Sequence, residues 1–241
     1  MSVRRPAGLP SLSERLACIV ELAGESDRLF DVGCDHALIP ITLAMLNRCR
    51  DAYACDSRAG PLAVAADRIA RYGVADRVMP VLADGLDGMS PGERDTVVIA
   101  GLGGNETIRI LRRAAPIPAG VVFILQPMKS AAALRLYLDL HGFRIEREAL
   151  CRDGRSVHCV LRVRRTGDTN PVGLSLEEAY AGPCVLRALE EGNPLPWTDA
   201  YLGGVVARLK KAARGDPSLL PVAKALAELR VSVRNTGGAS Q

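Results

Sequence analysis

Over the first two thirds of the chain, short apolar runs alternate with longer segments whose apolar residues recur every three or four positions. The short runs predict strands near 28–33, 51–56, 77–82, 95–100 and 120–126. The longer segments predict helices over 37–47, 61–72, 105–114 and 130–141. A capping box at Ser11–Glu14 predicts an earlier helix, which Gly24 ends. Strands that alternate with helices predict a parallel sheet with helices on both faces.

This alternation stops after the last of these helices. Phe143–Leu150 and Val157–Val163 are two strand-like runs, separated only by CRDGRS, in which Asp153 and Gly154 supply turn chemistry. We therefore predict an α/β fold, a doubly wound sheet that ends in an antiparallel hairpin. That ending is typical of class I (Rossmann-like) methyltransferases, whereas a dinucleotide dehydrogenase more often continues with another parallel unit.

The rest of the chain predicts helices. A second capping box, Ser175–Glu178, opens a helix that ends at Gly192–Pro196. Thr198 opens the next helix, and Asp216 with Pro217 supply the N-cap and first-turn proline of a third. We expect the last two to form an antiparallel, coiled-coil-like hairpin.

The chain is therefore expected to divide into a sheet domain over 1–165 and a small α-helical domain over 166–241. The helical domain has a basic tendency, carried by Arg208, Lys210, Lys211, Arg214, Lys224, Arg230 and Arg234. Solvated faces of amphipathic helices account for such charges more readily than a nucleic-acid contact surface, but both interpretations stay open.

The segment Leu29–Pro40, LFDVGCDHALIP, is the point where the first strand runs into a helix. Gly33 lacks a Cβ atom, so a ligand can lie close against the backbone there. Asp31, at the end of the strand, would face an ammonium group of that ligand. The dinucleotide fingerprint GxGxxG is absent, which disfavours NAD. The segment instead predicts a site for the methionine end of S-adenosylmethionine (SAM).

Two further acids follow the next two strands. Asp56 ends the run YACD, where a doubly wound sheet places a carboxylate against ribose hydroxyls. Asp84, in VLADGL, could accept a hydrogen bond from an adenine amino group. Each acid alone could be a solvated loop or helix-cap residue, but three at successive strand ends indicate a SAM site.

The fourth strand runs into Gly101, Gly103 and Gly104. Methyltransferases that act on ring or exocyclic nitrogens hold the acceptor after this strand, and glycines let a flat base approach the backbone closely. The same glycines could instead make a tight turn. Asn105 is expected to cap the following helix or to donate a hydrogen bond to the acceptor.

The fifth strand ends in ILQPMK, where Gln126 offers both a donor and an acceptor group and Lys129 is available for a phosphate. Aromatic residues make up only 4% of the chain. We expect the larger ones to belong to the core or to an interface: Tyr53, Phe123, Tyr137 and Trp197. No platform on which a base could stack is therefore predicted.

Composition narrows the class of protein. The chain has 241 residues, 48% of them hydrophobic, which allows a full core. Its net charge of +4 is compatible with a nucleic-acid partner.

The seven cysteines lack CxxC spacing and no cleavable signal sequence precedes them, so we expect reduced thiols in a cytoplasmic protein. No apolar run reaches the ~20 residues that cross a bilayer. The three histidines have no second ligand at metal-binding spacing. We therefore expect no membrane partner and no bound metal ion.

Several segments of the chain, in this order, resemble the bacterial tRNA (adenine-22-N1)-methyltransferase family, often named TrmK. They are LSERL (12–16), DVGCDHALIPI (31–41), GPL (60–62), DGL (84–86), IAGLGG (99–104), ILQP (124–127) and LRLYL (134–138). The resemblance implies a class I methyltransferase domain followed by a coiled-coil-like domain, with SAM as cofactor. It also implies methyl transfer to N1 of an adenine in the D-arm region of tRNA.

The resemblance further implies that Asp31, Gly33, Asp35 and His36 line the cofactor loop, that Asp84 and Gly85 hold the adenine end, and that Gly101, Gly103 and Gly104 border the transfer site. The predicted site residues combine these positions with those at the strand ends. Those expected to contact the cofactor are Arg15, Asp31, Gly33, Cys34, Asp35, His36, Asp56, Ser57, Asp84, Gly85, Ala100 and Gly101. Those expected at the transfer site are Asp35, Gly103, Asn105 and Gln126. N1 of adenine is neutral and nucleophilic, so positioning is expected to matter more than a general base, and Asp35 could stabilise the positive charge that develops.

The chain departs from the family pattern near the expected base pocket. Leu102 stands where the family usually has methionine, and Met128 stands where it has asparagine. An asparagine there would supply a donor and an acceptor that methionine lacks. Other acceptors therefore stay open, namely a different RNA, a protein or a small molecule, as does a SAM-binding module without catalysis. We expect a monomer or a weak homodimer.

Overall fold

The computed structural model describes residues 8–237, with side chains described as far as residue 231. Its centre is one sheet of seven strands in the order β3-β2-β1-β4-β5-β7-β6. The strands are β1 (Ser26–Val32), β2 (Cys49–Asp56), β3 (Val78–Leu82), β4 (Thr96–Leu102), β5 (Val122–Pro127), β6 (Phe143–Asp153) and β7 (Ser156–Arg165). The first five pair in parallel, and β7 pairs antiparallel with both β5 and β6. The predicted doubly wound sheet with a closing hairpin is confirmed.

Helices cover both faces of this sheet. Those that follow or precede strands are α1 (Glu14–Ala23), α2 (Leu38–Met45), α3 (Ala59–Tyr72), α4 (Gly104–Arg113) and α5 (Ala131–Leu140). Those after the hairpin are α6 (Leu176–Ala181), α7 (Pro183–Glu190), α8 (Thr198–Ala212) and α9 (Leu220–Gly237). One hydrophobic core joins α1, α2 and α3 to the sheet face that carries Leu29, Val98 and Ile124.

The core on the other face continues into the C-terminal helices. Phe123 of β5 and Leu161 of β7 are fully buried in the same cluster as Leu202 and Val205 of α8 and Leu226 of α9. The apolar stripe of α8 therefore packs against the sheet domain and against α9, with which it forms the predicted helical hairpin.

Two helix starts differ from their sequence predictions. The N-cap of α1 is Ser13, whose hydroxyl accepts from the backbone N–H of Leu16, so the capping box predicted at Ser11 is wrong. Ser13 also donates to Asp153 of the β6–β7 turn at 3.3 Å, a contact over 140 positions that sequence spacing does not reveal. Gly103, and not Asn105, is the N-cap of α4, so Asn105 is already inside the helix and exposed.

The first C-terminal helix is broken where one continuous helix was predicted. Gly182 has φ +104°, which ends α6, and Pro183 begins α7 directly after it. Likewise, Asp216 and Pro217 open a short 3₁₀ turn, Pro217–Leu219, ahead of α9. The capping box at Ser175 and Glu178 is confirmed, with both of its hydrogen bonds formed.

A buried ion pair fixes the C-terminal helices to the sheet domain. Arg135 of α5 is fully buried and its Nε atom donates to Oε1 of Glu148 on β6 at 2.8 Å. The same guanidinium donates to the carbonyl of Ala179 in α6 and to the hydroxyl of Tyr201 in α8. Glu148 accepts from the backbone N–H of Cys184 at the start of α7. One charged pair thus satisfies polar groups of three C-terminal helices.

Candidate active site

The loop after β1 turns sharply and presents backbone to open space. Gly33 has φ +73°, and a Cβ atom there would meet only Leu102, at 4.0 Å. Its N–H and that of Cys34 both donate to the carbonyl of Cys55 at the end of β2, at 2.8 and 2.9 Å. Asp35 also takes a positive φ, +50°, before α2 begins at Leu38. The turn leaves room for a ligand against the end of β1.

Asp31 lies at that strand end with an unmet hydrogen-bonding capacity. It is only 2% exposed, and its Oδ2 atom has no hydrogen-bond partner among the described residues. Burial, reinforced by the charges of Asp35 and Asp56, raises the pKa of Asp31 to about 7. A buried carboxylate oxygen without a donor is costly, so this position fits a ligand that brings a cationic donor.

Two adjoining cavities open at the carboxyl ends of the strands. The first, of about 330 Å³, is lined by Arg15, Asp31, Gly33, Cys34, Asp35, His36, Ala100 and Gly101 among others. The second, of about 310 Å³, is lined by Gly33, Asp35, Asp56, Ser57, Asp84 and Gly85 among others. Gly33, Asp35 and Leu102 border both cavities. The structure thus brings together all the residues that the sequence placed around the cofactor.

The chemistry of these linings suits the two ends of SAM. Asp31 offers an anionic oxygen for an ammonium group in one cavity, and Asp56, 6% exposed, offers a carboxylate for hydroxyls in the other. Gly85 has φ +69°, and a Cβ atom there would lie 3.0 Å from Cγ2 of Ile110, so a glycine lets the backbone beside Asp84 pack against α4 at this cavity. The described residues therefore fit the cofactor that the sequence predicts.

Asp84 is held by two arginines that sequence reasoning did not identify. Arg109 and Arg113 of α4 donate to its Oδ1 and Oδ2 atoms at 3.0 and 2.6 Å. These bonds lower the pKa of Asp84 to about 2, so the carboxylate is ionised at neutral pH. A carboxylate accepts about four hydrogen bonds, so it keeps capacity for another donor. The spacing of Arg109 and Arg113, one helical turn apart on α4, was the available signal.

Gln126 is engaged by protein groups. It is 1% exposed, and its Oε1 atom accepts from the N–H of Gly101 at 3.1 Å and from Nη1 of Arg15 at 3.0 Å. Its Nε2 atom lies 3.4 Å from the sulfur of Met128. Gln126 therefore braces the loop after β4 against α1, and a direct contact with an acceptor stays a prediction for its amide nitrogen alone.

The other residues predicted at the transfer site are dispersed. Asp35 borders both cavities, and its carboxylate lies 3.6 Å from the imidazole of His36. Gly103 and Asn105 line neither cavity. Gly103 packs beside Lys129, whose Cε atom would lie 3.1 Å from a Cβ atom at that glycine. Gly104 passes so close to the carbonyl of Ser130 that a Cβ atom there would overlap it.

Several lining residues were not among the predicted site residues, although Leu16, Leu38 and Ile39 lie in the segments that resemble the family. Leu16, Leu38 and Ile39 form apolar wall in the first cavity, and Glu106 and Ile110 of α4 border the second. Their contribution depends on how α1, α2 and α4 pack across the strand ends.

Over residues 8–231, no group of three or more histidine, cysteine, aspartate or glutamate side chains is arranged to hold a metal ion. All seven cysteines are free thiols. Among the described helices, none combines the length and apolarity required to span a membrane.

Known proteins resemble this chain in both sequence and fold. A family model described as a methyltransferase domain matches residues 12–161. The chain is 28% identical, over 78% of its length and 80% of the other, to a tRNA (adenine(22)-N(1))-methyltransferase from Bacillus subtilis (strain 168).

Two solved structures extend this likeness to nearly the whole chain. A putative tRNA (m1A22) methyltransferase of Streptococcus pneumoniae in complex with S-adenosyl-L-methionine has a TM-score of 0.76 at 26% identity, covering 91% of this chain and all (100%) of that one. TrmK of M. capricolum with S-adenosyl-homocysteine has a TM-score of 0.72 at 23% identity, covering 92% and 98% of the two chains, and shows the fold alone.

Proposed function

The chain belongs to the methyltransferase domain family, and from that membership we propose that it transfers a methyl group from SAM to N1 of an adenine in tRNA, at the position equivalent to adenine 22. SAM is its cofactor. The observation that carries the proposal is the pair of adjoining cavities that the predicted cofactor residues line, the first of them beside Asp31, whose buried Oδ2 atom has no hydrogen-bond partner among the described residues. The choice of adenine 22 of tRNA as the acceptor follows from the names of the related proteins.

The residues of the chain act mainly by positioning. Asp31 would hold the ammonium group of the cofactor, Asp56 its ribose hydroxyls, and Asp84 with Gly85 its adenine. When bound, the cofactor supplies the electrophilic methyl group. The site then needs to present a ring nitrogen of the base in line with that methyl, which is an orientation effect and requires no strong base.

The methyl acceptor would lie against the turn at the end of β4, residues 101–104, called the glycine turn below. Gly101 borders the first cavity, and its N–H is fixed by Gln126, so the glycine turn is held in one conformation. Asp35 is 71% exposed at the side chain and borders both cavities, so it is available to stabilise the positive charge of the methylated base. We propose these groups, with Gly103, Asn105 and Gln126, as the transfer site.

The wider setting follows from a tRNA substrate. We propose a cytoplasmic enzyme that acts as a monomer or weak homodimer, with a catalytic unit over 1–165 and a helical unit over 166–241.

The test is transfer of radiolabelled methyl from SAM to total tRNA from a strain that lacks this protein, followed by nucleoside analysis. We expect label in 1-methyladenosine, and none with Asp31→Ala. Gly60→Ala is the matched control, because a Cβ atom at Gly60 meets nothing within 4 Å. SAM binding without label in any tRNA would defeat the proposal and favour a different acceptor, which Met128 in the base region would then explain.

A further inference from the structure

We propose that a third cavity, between the end of β5 and helix α8, binds an unpaired nucleotide of the tRNA next to the target adenine, and that Trp197 with Arg152 extends it as a stacking platform. This inference rests on the proposed function. It assigns a role to a region that the cofactor does not reach.

The cavity has a volume of about 410 Å³, comparable to sites that hold small organic ligands. Its walls come from both parts of the chain. Met128 and Lys129 line it after β5, Val157 lines it on the hairpin, and Tyr201 and Leu209 line it on α8. Aromatic and aliphatic surface of this kind suits the flat face of a nucleobase.

Among the described side chains, a lysine and an arginine but no carboxylate line the third cavity. Lys129 and Arg208 both line it, and none of the described residues that line it is an aspartate or glutamate. Neither residue forms an ion pair within the described part of the chain, although most arginines near the cofactor site do. Two cations without a carboxylate beside an apolar floor are complementary to a base with its phosphate.

Lys129 also touches the turn at which the acceptor is expected. A Cβ atom at Gly103 would lie 3.1 Å from Cε and 3.4 Å from Cγ of Lys129, so the lysine stem packs against the glycine turn. The same lysine lines the third cavity. It is therefore placed to contact the phosphate that links the target adenosine to the nucleotide in the cavity.

Trp197 caps helix α8, one turn before the cavity residue Tyr201, in an unusual backbone conformation. The residue is 44% exposed, and its backbone φ is +67°, a conformation that is costly for a bulky residue. The guanidinium carbon of Arg152 lies 5.2 Å from the centre of the indole ring. Of the two places expected for Trp197, the core or an interface, this exposure excludes the core, and the surface offers an aromatic ring.

Both members of the Trp197–Arg152 pair adjoin cavity residues. The carbonyl of Trp197 accepts from the N–H of Tyr201 at 2.9 Å, and Arg152 is the cross-strand partner of Val157. Tyr201 and Val157 line the cavity. Ring and cation are therefore each one residue contact away from the cavity wall, near the tip of the hairpin, and we expect a second base to stack there.

Trp197 is the only tryptophan in the sequence, so its fluorescence reports on this surface directly. We expect saturable quenching when tRNA lacking the methyl group is added to the protein saturated with S-adenosyl-homocysteine, which cannot donate a methyl group, with a midpoint that rises steeply with salt. Arg208→Gln should raise that midpoint and the KM for tRNA about tenfold, as expected for loss of a phosphate contact. Lys210→Gln is the matched control, since Lys210 is exposed on the same helix and does not line the cavity.

A second pair of variants tests shape and stacking. Ala132→Phe fills the cavity without altering charge, and should raise the KM for tRNA while leaving calorimetric SAM affinity unchanged. Trp197→Ala should raise the KM for tRNA about tenfold, and Trp197→Phe should restore much of that loss, because a phenyl ring also offers a face on which a base can stack.

The outcomes separate this inference from the proposed function. If tRNA is methylated but fluorescence does not change and Arg208→Gln, Ala132→Phe and Trp197→Ala keep the wild-type KM, the inference is overturned and the proposed function stands. Quenching by an acidic peptide but not by tRNA would also overturn it, in favour of a protein partner. Absence of methyl transfer to any tRNA would instead remove the proposed function itself.

Discussion

The guanidinium of Arg15 donates a 3.0 Å hydrogen bond to the side-chain oxygen of Gln126, although the two residues lie 111 positions apart. The bond ties the N-terminal helix to the end of β5, and the same oxygen holds the N–H of Gly101. The wall of the cofactor cavity and the glycine turn are thereby fixed to each other through one carboxamide.

Replacing Gln126 should weaken both the wall of the cofactor cavity and the glycine turn. Gln126→Ala removes the acceptor of the Gly101 N–H, and because Gly101 is exposed, water can replace that acceptor, so we expect the free energy of unfolding to fall by about 1 kcal/mol, as for an ordinary hydrogen bond. SAM affinity should fall as well. Denaturation and calorimetry of Gln126→Ala, Arg15→Ala and the double variant measure this, and strictly additive losses would show that the two side chains do not act together.

The raised pKa of Asp31 predicts a pH dependence with a definite sign. Its pKa rises on folding from 3.8 to about 7, so the folded protein retains a proton that the unfolded chain releases. Stability of the cofactor-free protein should therefore be greatest below pH 3.8 as far as this group is concerned, and its contribution should be lost as pH rises through about 7.

SAM affinity should show the opposite trend, because an ammonium group pairs with the ionised form. We expect affinity to increase from pH 6 to pH 8 in the wild-type protein. In Asp31→Asn both slopes should flatten and affinity should be weak throughout. Melting curves and calorimetry over this range test the assignment, and an unchanged slope in the variant would show that another group titrates.

The buried pair of Arg135 and Glu148 predicts a large, asymmetric mutational effect. Glu148→Ala leaves a fully buried guanidinium without its carboxylate and should lower the free energy of unfolding by about 3–5 kcal/mol. The double change Arg135→Met with Glu148→Leu removes both charges and should recover part of that loss, but not all of it, because the carbonyl of Ala179 and the N–H of Cys184 then lack their partners. Chemical denaturation gives these values, and a double variant as unstable as Glu148→Ala would contradict the explanation.

The close approach at Gly104 predicts a contrast between two glycines. A Cβ atom at Gly104 would overlap the carbonyl of Ser130 and lie 2.9 Å from its carbon, so Gly104→Ala should separate α4 from the end of β5 and reduce methyl transfer by at least about tenfold. Gly60→Ala, in the first turn of α3, should keep wild-type activity and stability. Equal activity of the two variants would show that the glycine turn tolerates displacement.

Much of the sheet domain could be predicted because its signals are local. Apolar runs ended by Asp31 and Asp56 marked strands that the structure confirms, and Asp153 with Gly154 marked the hairpin turn. The cofactor cavities follow from the same pattern, because the carboxyl ends of parallel strands meet at one edge.

What could not be predicted depends on contacts between distant segments. Nothing near Arg135 in the sequence indicates Glu148 as its partner, or the carbonyl of Ala179 as its acceptor. The exposure of Trp197 depends on how α8 packs beside the hairpin, and the hydrophobic periodicity of the sequence does not indicate that packing. The break at Gly182 did have a local signal, the Gly-Pro pair, whose effect the helical periodicity on either side concealed.

The shared core described for β7 and α8 has a consequence during synthesis. Leu161 and Phe123 emerge from the ribosome well before Leu202, Val205 and Leu226, the residues that cover them. A nascent chain that has released only the sheet segment therefore exposes an apolar face, together with the charge of Arg135. Completion of the fold must wait for translation of the last helix, and in the interval this face is a natural target for a chaperone.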